Sequence, residues 1–191
     1  MGKDKMEIAR RQISNPFNNH VPPRRTNMKG EAGLILLVED EPAHAEAVRR
    51  VLSRSRIAIR FKHVSDGQAA LDYLFRRKEF SMPELSPRPG LILLDLHLPK
   101  VSGMEVLKAI KTNVGLSSIP VVMLTTSAAE SDVAKAYEFN ANSYLVKPAD
   151  FVQFGDLIEA LGYYWMSWNQ NPLSGNGEVR GKEDCGDRQG V

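Results

Sequence analysis

Five short apolar segments, each followed by a helical pattern, occupy residues 33–168 of this 191-residue chain. Two of them, Gly33–Val38 and Leu91–Leu94, are continuous apolar runs, which is typical of strands buried on both faces. Another alternates apolar Ile59 and Phe61 with charged residues, as a half-buried strand does. Strands that alternate with helices predict an α/β fold, a doubly wound five-stranded parallel sheet with helices on both faces.

The last two strands and the last helix complete this pattern. Strands are predicted at 121–124 and 142–146, and the helix between them carries Val133, Ala136 and Tyr137 at helical spacing. The final helix is predicted over residues 150–168. Its apolar residues at helical spacing are Phe151, Phe154, Leu157, Ile158, Leu161, Trp165 and Trp168. In sheets of this kind ligands bind beyond the carboxyl ends of the strands, so functional residues are expected there.

Charge and cysteine content exclude several classes of protein. The chain has 25 basic and 23 acidic side chains, a net charge of +2, which does not indicate a nucleic-acid-binding protein. Its longest apolar runs are far shorter than the roughly 20 residues of a membrane helix. The single cysteine, Cys185, excludes an intramolecular disulfide. We therefore expect a cytoplasmic protein that binds neither nucleic acid nor membrane.

The two ends of the chain differ in composition from its middle. Residues 1–32 contain seven basic and three acidic side chains with little apolar periodicity, and we predict a flexible N-terminal arm. Residues 169–191 are rich in glycine and charge, and we predict a flexible C-terminal tail. The domain is thus predicted at 33–168. Because the tail is too short for a separate effector, we expect no output domain.

Chemically useful side chains come directly after four of the predicted strands. Glu39 and Asp40 follow the first, Asp95 the third, Thr125-Thr126-Ser127 the fourth and Lys147-Pro148 the fifth. Clustered carboxylates repel one another and are oxygen ligands that suit Mg²⁺. A lysine and a hydroxyl nearby could bind a further anion. Together these side chains describe a site for adding a phosphoryl group to a carboxylate.

Each of these features also has a purely structural interpretation. An acidic pair after a strand complements the dipole of the next helix, and Ser127 is expected to cap a helix. Asp95, after four apolar residues, could be a turn residue, and a Lys147-Pro148 pair is commonly a turn. The occurrence of all four features in order, each directly after its own strand, favours the functional interpretation.

Four segments of the sequence resemble a known family. They are 34–42, 91–99 with Gly103, 120–125 and 141–148. At these segments the chain resembles the response-regulator receiver domain of two-component signalling, the CheY-like domains, over about two thirds of its length. The resemblance implies a flavodoxin-like (βα)5 fold.

The resemblance also implies a role for each matching residue. Asp95 would be the phosphoacceptor, Asp40 a direct Mg²⁺ ligand, and Glu39 a ligand acting through water. The backbone carbonyl of His97 would be the third protein ligand. Lys147 would pair with the phosphoryl group, with Thr125 as the switch hydroxyl and Tyr144 as the switch aromatic. The Lys147–Pro148 peptide bond would be cis.

The function implied is that of a timed switch rather than a turnover enzyme. Asp95 would accept a phosphoryl group from a sensor histidine kinase, and the face formed by the fourth helix, fifth strand and fifth helix would repack. A closer resemblance is to stand-alone regulators paired with bacterial phytochromes, which implies a homodimer through that face. Tyr164, Trp165 and Trp168 are the expected interface residues, because too many aromatics crowd the end of the last helix for all to face the core.

Two other functions compete with this one. A Mg²⁺-dependent phosphohydrolase with an aspartate nucleophile would have a second acid two residues later, where this chain has His97. A nucleotide-binding protein would have a G-x-G-x-x-G or Walker motif after a strand, and none is present. The remaining histidines are assigned to ordinary positions, His44 to a helix surface and His63 to a strand.

Overall fold

The computed structural model describes residues 33–169. The predicted flexible arm, 1–32, and the tail from residue 170 onward lie outside the described residues. Five strands and five helices alternate along the described chain. In order they are β1 (Gly33–Val38), α1 (Pro42–Arg54), β2 (Ile59–Val64), α2 (Gly67–Leu74), β3 (Leu91–Leu94), α3 (Gly103–Thr112), β4 (Val121–Thr125), α4 (Glu130–Glu138), β5 (Ser143–Val146) and α5 (Phe151–Tyr163). A short 3-10 turn (Lys78–Phe80) precedes β3, and a π-helical turn (Tyr164–Trp168) follows α5.

The strands form one parallel sheet in the order β2-β1-β3-β4-β5. This arrangement confirms the predicted doubly wound sheet. The chain runs outward in one direction from β1 to β2, and in the other from β3 to β5. The order therefore reverses between β1 and β3, and a crevice opens there at the carboxyl ends of the two strands.

Two hydrophobic cores cover the two faces of the sheet. Along β1, Leu36 and Val38 pack under α2 and α3, whereas Ile35 and Leu37 pack under α1 and α5. This alternation follows from the two-residue period of a strand. Because helices cover both faces, every residue of β3 and β4 is buried, and both strands are apolar apart from Thr125 at the end of β4.

The edge strands are less buried than the central ones. In β2 the side chain of Arg60 is exposed, and in β5 the side chain of Val146 is 43% exposed. An edge strand has neighbours on one side only, so its sequence carries fewer continuous apolar residues. No helix between residues 33 and 169 is both long and apolar enough to cross a membrane.

The end of the last helix differs from its prediction. The α-helix ends at Tyr163, and residues 164–168 form a π-helical turn. Phe151 and Trp168, two of the apolar residues at helical spacing, are more than half exposed. The wider turn shifts the register by one residue, so a stripe drawn at α-helical spacing does not predict the orientation of Trp168.

Two further expectations, both about α4 and the residues just before it, differ from the structure. Tyr137, one of the apolar residues at helical spacing on α4, is 52% exposed, and the buried residue of that helix is Ala136. The expected helix cap at Ser127 is also wrong, since the N-cap residue of α4 is Ala129. The hydroxyl of Ser127 instead accepts a hydrogen bond from the Ala129 N–H and donates one to Asp132.

Candidate functional site

The parallel register brings the predicted site residues to one edge of the sheet. Val38 of β1 pairs with Leu94 of β3, so the residues just beyond these two strands emerge side by side. Backbone hydrogen bonds extend the pairing beyond the strands, from the Asp95 N–H to the Val38 carbonyl (3.0 Å) and from the Lys147 N–H to the Thr125 carbonyl (2.7 Å). The crevice between β1 and β3 is therefore lined by these polar residues.

Three carboxylates meet in this crevice. Glu39, Asp40 and Asp95 each contribute an oxygen, and these oxygens all lie within 4.8 Å of one another. Glu39 and Asp95 are buried, whereas Asp40 is exposed at the mouth. Three negative charges this close repel one another, and hard oxygen donors suit a small divalent cation. The donor set therefore fits Mg²⁺ or Mn²⁺.

A buried lysine joins two of these carboxylates. Lys147 Nζ lies 2.5 Å from Asp95 Oδ2 and 2.6 Å from Glu39 Oε2, and its side chain is 1% exposed. Burial raises the pKa of Glu39 above its ordinary value, while the hydrogen bond and charge of Lys147 act in the opposite direction. One ammonium opposes three carboxylates, so the site keeps an excess of negative charge.

The backbone fixes the second oxygen of Asp95. Its Oδ1 accepts hydrogen bonds from the N–H groups of Leu96 (2.6 Å) and His97 (3.3 Å). Gly103 lies directly behind, since a Cβ added to it would be 1.9 Å from the Asp95 carbonyl oxygen. This close approach requires glycine at 103, while the two backbone hydrogen bonds to Oδ1 leave Oδ2 facing Lys147. The His97 side chain is exposed.

The predicted switch residues are connected through Ser127. Thr125 is fully buried, and its Oγ1 accepts a hydrogen bond from the Ser127 N–H at 3.3 Å. The hydroxyl of Tyr144 donates to the Ser127 carbonyl at 3.1 Å. The side chain of Ser127 reaches Asp132 in the first turn of α4 at 2.6 Å. A displacement of Thr125 would therefore strain contacts with both β5 and α4.

The model of one protein family matches this chain. It is the response regulator receiver domain, and it matches residues 35–160, more than half of the sequence. The chain belongs to this family.

Individual relatives agree with this assignment. The probable methanogenesis regulatory protein FilR2 of Methanothrix harundinacea is 45% identical over 139 residues, covering 73% of this chain and 87% of that protein. Response regulator Rcp1 of Synechocystis is 44% identical over 133 residues, covering 70% and 88%. These proteins match the receiver domain over most of their own length.

Solved structures match the fold over the same region. The Mn²⁺-bound form of Rcp1 has a TM-score of 0.70, with 42% identity over 73% of this chain and 99% of that one. The phosphorylated cyanobacterial phytochrome response regulator RcpA has a TM-score of 0.71, with 36% identity over 74% and 99%. The receiver fold and the likeness to phytochrome-associated regulators are thus shown.

Two histidines of the receiver domain touch the site, although sequence reasoning gave them no role in it. His63 does lie on a strand, β2, but its Nε2 donates to the Glu39 carbonyl at 2.8 Å. His44 does not lie on an open helix surface: its Nδ1 is 3.3 Å from Glu39 Oε1 and 3.4 Å from Lys147 Nζ. The spacing of four residues between His44 and buried Val48 places both on one face of α1, and this signal could have located it.

The aromatic residues expected at an interface divide into two groups. Tyr164 and Trp168 are more than half exposed, whereas Trp165 packs partly against the core under α1 and α5. Tyr164 and Trp165 also line an open groove of about 400 Å³ between β5 and α5. The exposure of Tyr164 and Trp168 confirms the expectation that not all aromatic side chains at the end of the last helix face the core.

The expected cis peptide bond is absent from the described chain. No peptide bond between residues 33 and 169 is cis, so Lys147–Pro148 is trans. The trans form is the more stable one for a bond to proline by about 0.5–1 kcal/mol. Lys147 contacts both buried carboxylates with this bond in the trans form.

Proposed function

We propose that this receiver domain accepts a phosphoryl group on Asp95 in a Mg²⁺-dependent reaction. The observation that carries the proposal is the contact of Asp95 Oδ2 with Lys147 Nζ at 2.5 Å, inside a cluster of three carboxylates. An ordinary structural ion pair would not place two further acids at the same point, because their repulsion would destabilise the fold. A site that binds a cation and then an anion explains both the acids and the lysine.

The three carboxylates would hold the metal ion. Asp40 and Asp95 would be direct oxygen ligands and Glu39 would act through a water molecule, with the backbone carbonyl of His97 as the proposed third direct protein ligand. When bound, Mg²⁺ supplies positive charge that stabilises the negative charge developing on the transferred phosphoryl oxygens. The Mn²⁺-bound structure of the relative Rcp1 supports a divalent cation in this site.

The residues of the chain itself carry out the transfer. A carboxylate oxygen of Asp95 attacks phosphorus, a new O–P bond forms, and the P–N bond to the donor histidine breaks with its electron pair returning to the imidazole. Lys147 then pairs with a phosphoryl oxygen instead of with Asp95 Oδ2. Because water can later attack the acyl phosphate, the modification is temporary and the protein acts as a switch.

A sensor histidine kinase of the phytochrome type is the proposed donor. The support is the likeness to Rcp1 and to RcpA, which is described as a phosphorylated phytochrome response regulator. To test the donor, purified phytochrome-type kinase is phosphorylated on histidine and mixed with this protein. We expect faster transfer than from a histidine kinase without a phytochrome sensor, and equal rates would contradict the assignment.

Phosphorylation would be transmitted through Thr125. The new phosphoryl group offers acceptor oxygens at the end of β3, and the Thr125 hydroxyl is the proposed donor to them from neighbouring β4. Because Ser127 connects Thr125 to Tyr144 and to α4, this movement would loosen the α4-β5-α5 face. The switch is thus a shift between two packings of that face.

The phosphoacceptor is tested with acetyl phosphate and Mg²⁺. We expect one labile phosphoryl group per chain in wild type, detected by intact mass, and none in Asp95→Asn. Asp72→Asn is the matched control, because Asp72 is also buried and paired with a lysine at 2.5 Å but lies on α2. An adduct that persists in Asp95→Asn would overturn the proposal, and repeated turnover of a phosphate ester would favour a phosphohydrolase instead.

We also propose that two copies associate through the α4-β5-α5 face. Exposed apolar side chains occur on α4 (Tyr137), on β5 (Val146) and in the π-helical turn that continues α5 (Tyr164 and Trp168). An exposed apolar face of this kind is typical of a protein interface. The open edge of β5 and the adjoining groove continue the same surface.

The dimer is tested by light scattering with and without acetyl phosphate. We expect Tyr164→Ala to lower the dimer fraction, because Tyr164 is 53% exposed and borders the groove. Met82→Ala is the control, since Met82 is similarly exposed but lies in the loop before β3. A wild-type protein that is monomeric in both states would contradict this part of the proposal.

A further inference from the structure

We infer that His44 is a positioning residue that holds the ammonium of Lys147 in place for phosphoryl transfer. The inference rests on the proposed function of Asp95 and Lys147 and adds a residue to their site. His44 lies in the first turn of α1, directly beyond the acidic residues at the end of β1. Its Nδ1 lies 3.4 Å from Lys147 Nζ and 3.3 Å from Glu39 Oε1. We assign the tautomer protonated on Nε2, in which Nδ1 accepts a hydrogen bond from the ammonium and makes none with Glu39.

The first argument comes from the hydrogen bonds of Lys147. An ammonium has three N–H donors and no acceptor, and this one is buried. Glu39 and Asp95 accept two of these hydrogens at 2.6 Å and 2.5 Å. The Nδ1 of His44 is the third acceptor within reach of the ammonium. A buried N–H without an acceptor is costly, so this contact restricts where the ammonium can lie.

The second argument is that the imidazole ring is itself held in place. Its centroid lies 5.5 Å from the ring of Phe154, which is 1% exposed in the core under α1 and α5. Phe151 packs beside it at 6.1 Å. A ring packed on one side by the core and bonded on the other has little freedom. His44 can therefore act as a fixed point for a flexible lysine side chain.

The third argument concerns the contacts that change during the reaction. Metal binding would engage Glu39 and Asp95, and the phosphoryl group would take a further bond from Lys147. His44 is the one of the three acceptors that neither the metal nor the phosphoryl group is proposed to engage. Its contact can persist while the other two change, which keeps the ammonium close to Asp95.

Two substitutions separate positioning from simple packing. His44→Asn keeps an acceptor near the position of Nδ1 but loses most of the ring, whereas His44→Leu keeps the packing volume and loses the acceptor. If His44 positions Lys147, the rate of phosphorylation by acetyl phosphate with Mg²⁺ falls about tenfold in His44→Leu and is largely restored in His44→Asn. If His44 only packs, His44→Leu keeps the wild-type rate.

A second measurement does not depend on phosphorylation. The ¹⁵N resonance of Lys147 Nζ is recorded without phosphodonor and assigned by its loss in Lys147→Met. We expect it to shift in His44→Leu and to stay near its wild-type position in His44→Asn. An unchanged resonance and rate in His44→Leu would overturn the inference, provided that wild type is phosphorylated on Asp95. Absence of phosphorylation in wild type would instead overturn the proposed function.

Discussion

Lys147 Nζ lies 2.5 Å from Asp95 Oδ2, and both side chains are buried at the carboxyl end of the sheet. Removing the cation would leave Asp95 and Glu39 buried as unpaired, mutually repelling carboxylates. Breaking a buried ion pair on one side costs about 3–5 kcal/mol. We therefore expect Lys147→Met to lower the free energy of unfolding by this amount at neutral pH, as measured by urea denaturation.

The matched control for this substitution is Lys100→Met. Lys100 also pairs with an aspartate, Asp66, at 2.7 Å, but its side chain is 65% exposed. An exposed ion pair contributes about 0.2–1 kcal/mol, so the control should have a small effect. If the two variants lost equal amounts of unfolding free energy, burial of the Lys147–Asp95 ion pair would not make it more stabilising than an exposed pair.

Mg²⁺ should stabilise the folded protein through the acidic cluster. At a concentration of 100 times the dissociation constant, binding to the folded state contributes about 2.7 kcal/mol and raises the melting temperature. Asp40→Asn should abolish most of this increase, and a chelator should reverse it in wild type. Glu41→Gln is the control, because Glu41 is the next acid along the chain but lies outside the cluster. Thermal unfolding followed by circular dichroism measures both effects.

Gly103 should be intolerant of any side chain. A Cβ at this position would lie 1.9 Å from the Asp95 carbonyl oxygen, so Gly103→Ala must move the backbone that carries the phosphoacceptor. We expect a loss of about 1–3 kcal/mol in unfolding free energy, typical of overpacking, together with slower phosphorylation.

A second glycine provides the comparison for Gly103. In Gly155→Ala the nearest atom to the new Cβ is Val51 Cγ2 at 3.7 Å, an ordinary contact in the interior of α5. Alanine is favoured over glycine in a helix by about 0.5–1 kcal/mol, so this variant should be as stable as wild type or more stable. Urea denaturation of the two variants tests the pair, and a destabilised Gly155→Ala would contradict the expectation.

The ion pair between Asp72 and Lys78 should make the free energy of unfolding depend on pH in the acidic range. The hydrogen bond from Lys78 lowers the pKa of Asp72, with burial opposing it and Gln68 adding a second hydrogen bond. A carboxyl whose pKa is lower in the folded state stabilises the fold above its unfolded pKa of about 3.9. This contribution is lost as pH falls through the folded pKa.

The test compares wild type with Asp72→Asn across pH. We expect wild type to be the more stable at about pH 7, and the difference in unfolding free energy to shrink as the pH drops below about 4. A difference that stays constant down to the lowest pH at which both fold would mean that Asp72 is not responsible.

Local patterns in the sequence were sufficient to predict the strands and the polar residues at their carboxyl ends. The apolar runs of β1 and β3 are buried by helices on both faces, and their ends place Glu39 and Asp95 at one edge. The last helix was less predictable. Its aromatic residues fit an α-helical stripe as far as Trp168, but the backbone forms a π-helical turn from Tyr164. Packing of Met166 near Gly33 is a tertiary contact that periodicity does not encode.

The sequence by itself thus determined the fold class, the family and the position of each candidate residue along the chain. These depend on apolar periodicity and on the residues next to each strand, which are local properties. Only the tertiary structure decided that Lys147 bridges Glu39 and Asp95, and that His44 joins them. His44 and Lys147 are 103 positions apart, and their contact exists because the start of α1 and the end of β5 lie at the same edge of one sheet. Such a contact depends on how the elements pack, which no single segment specifies.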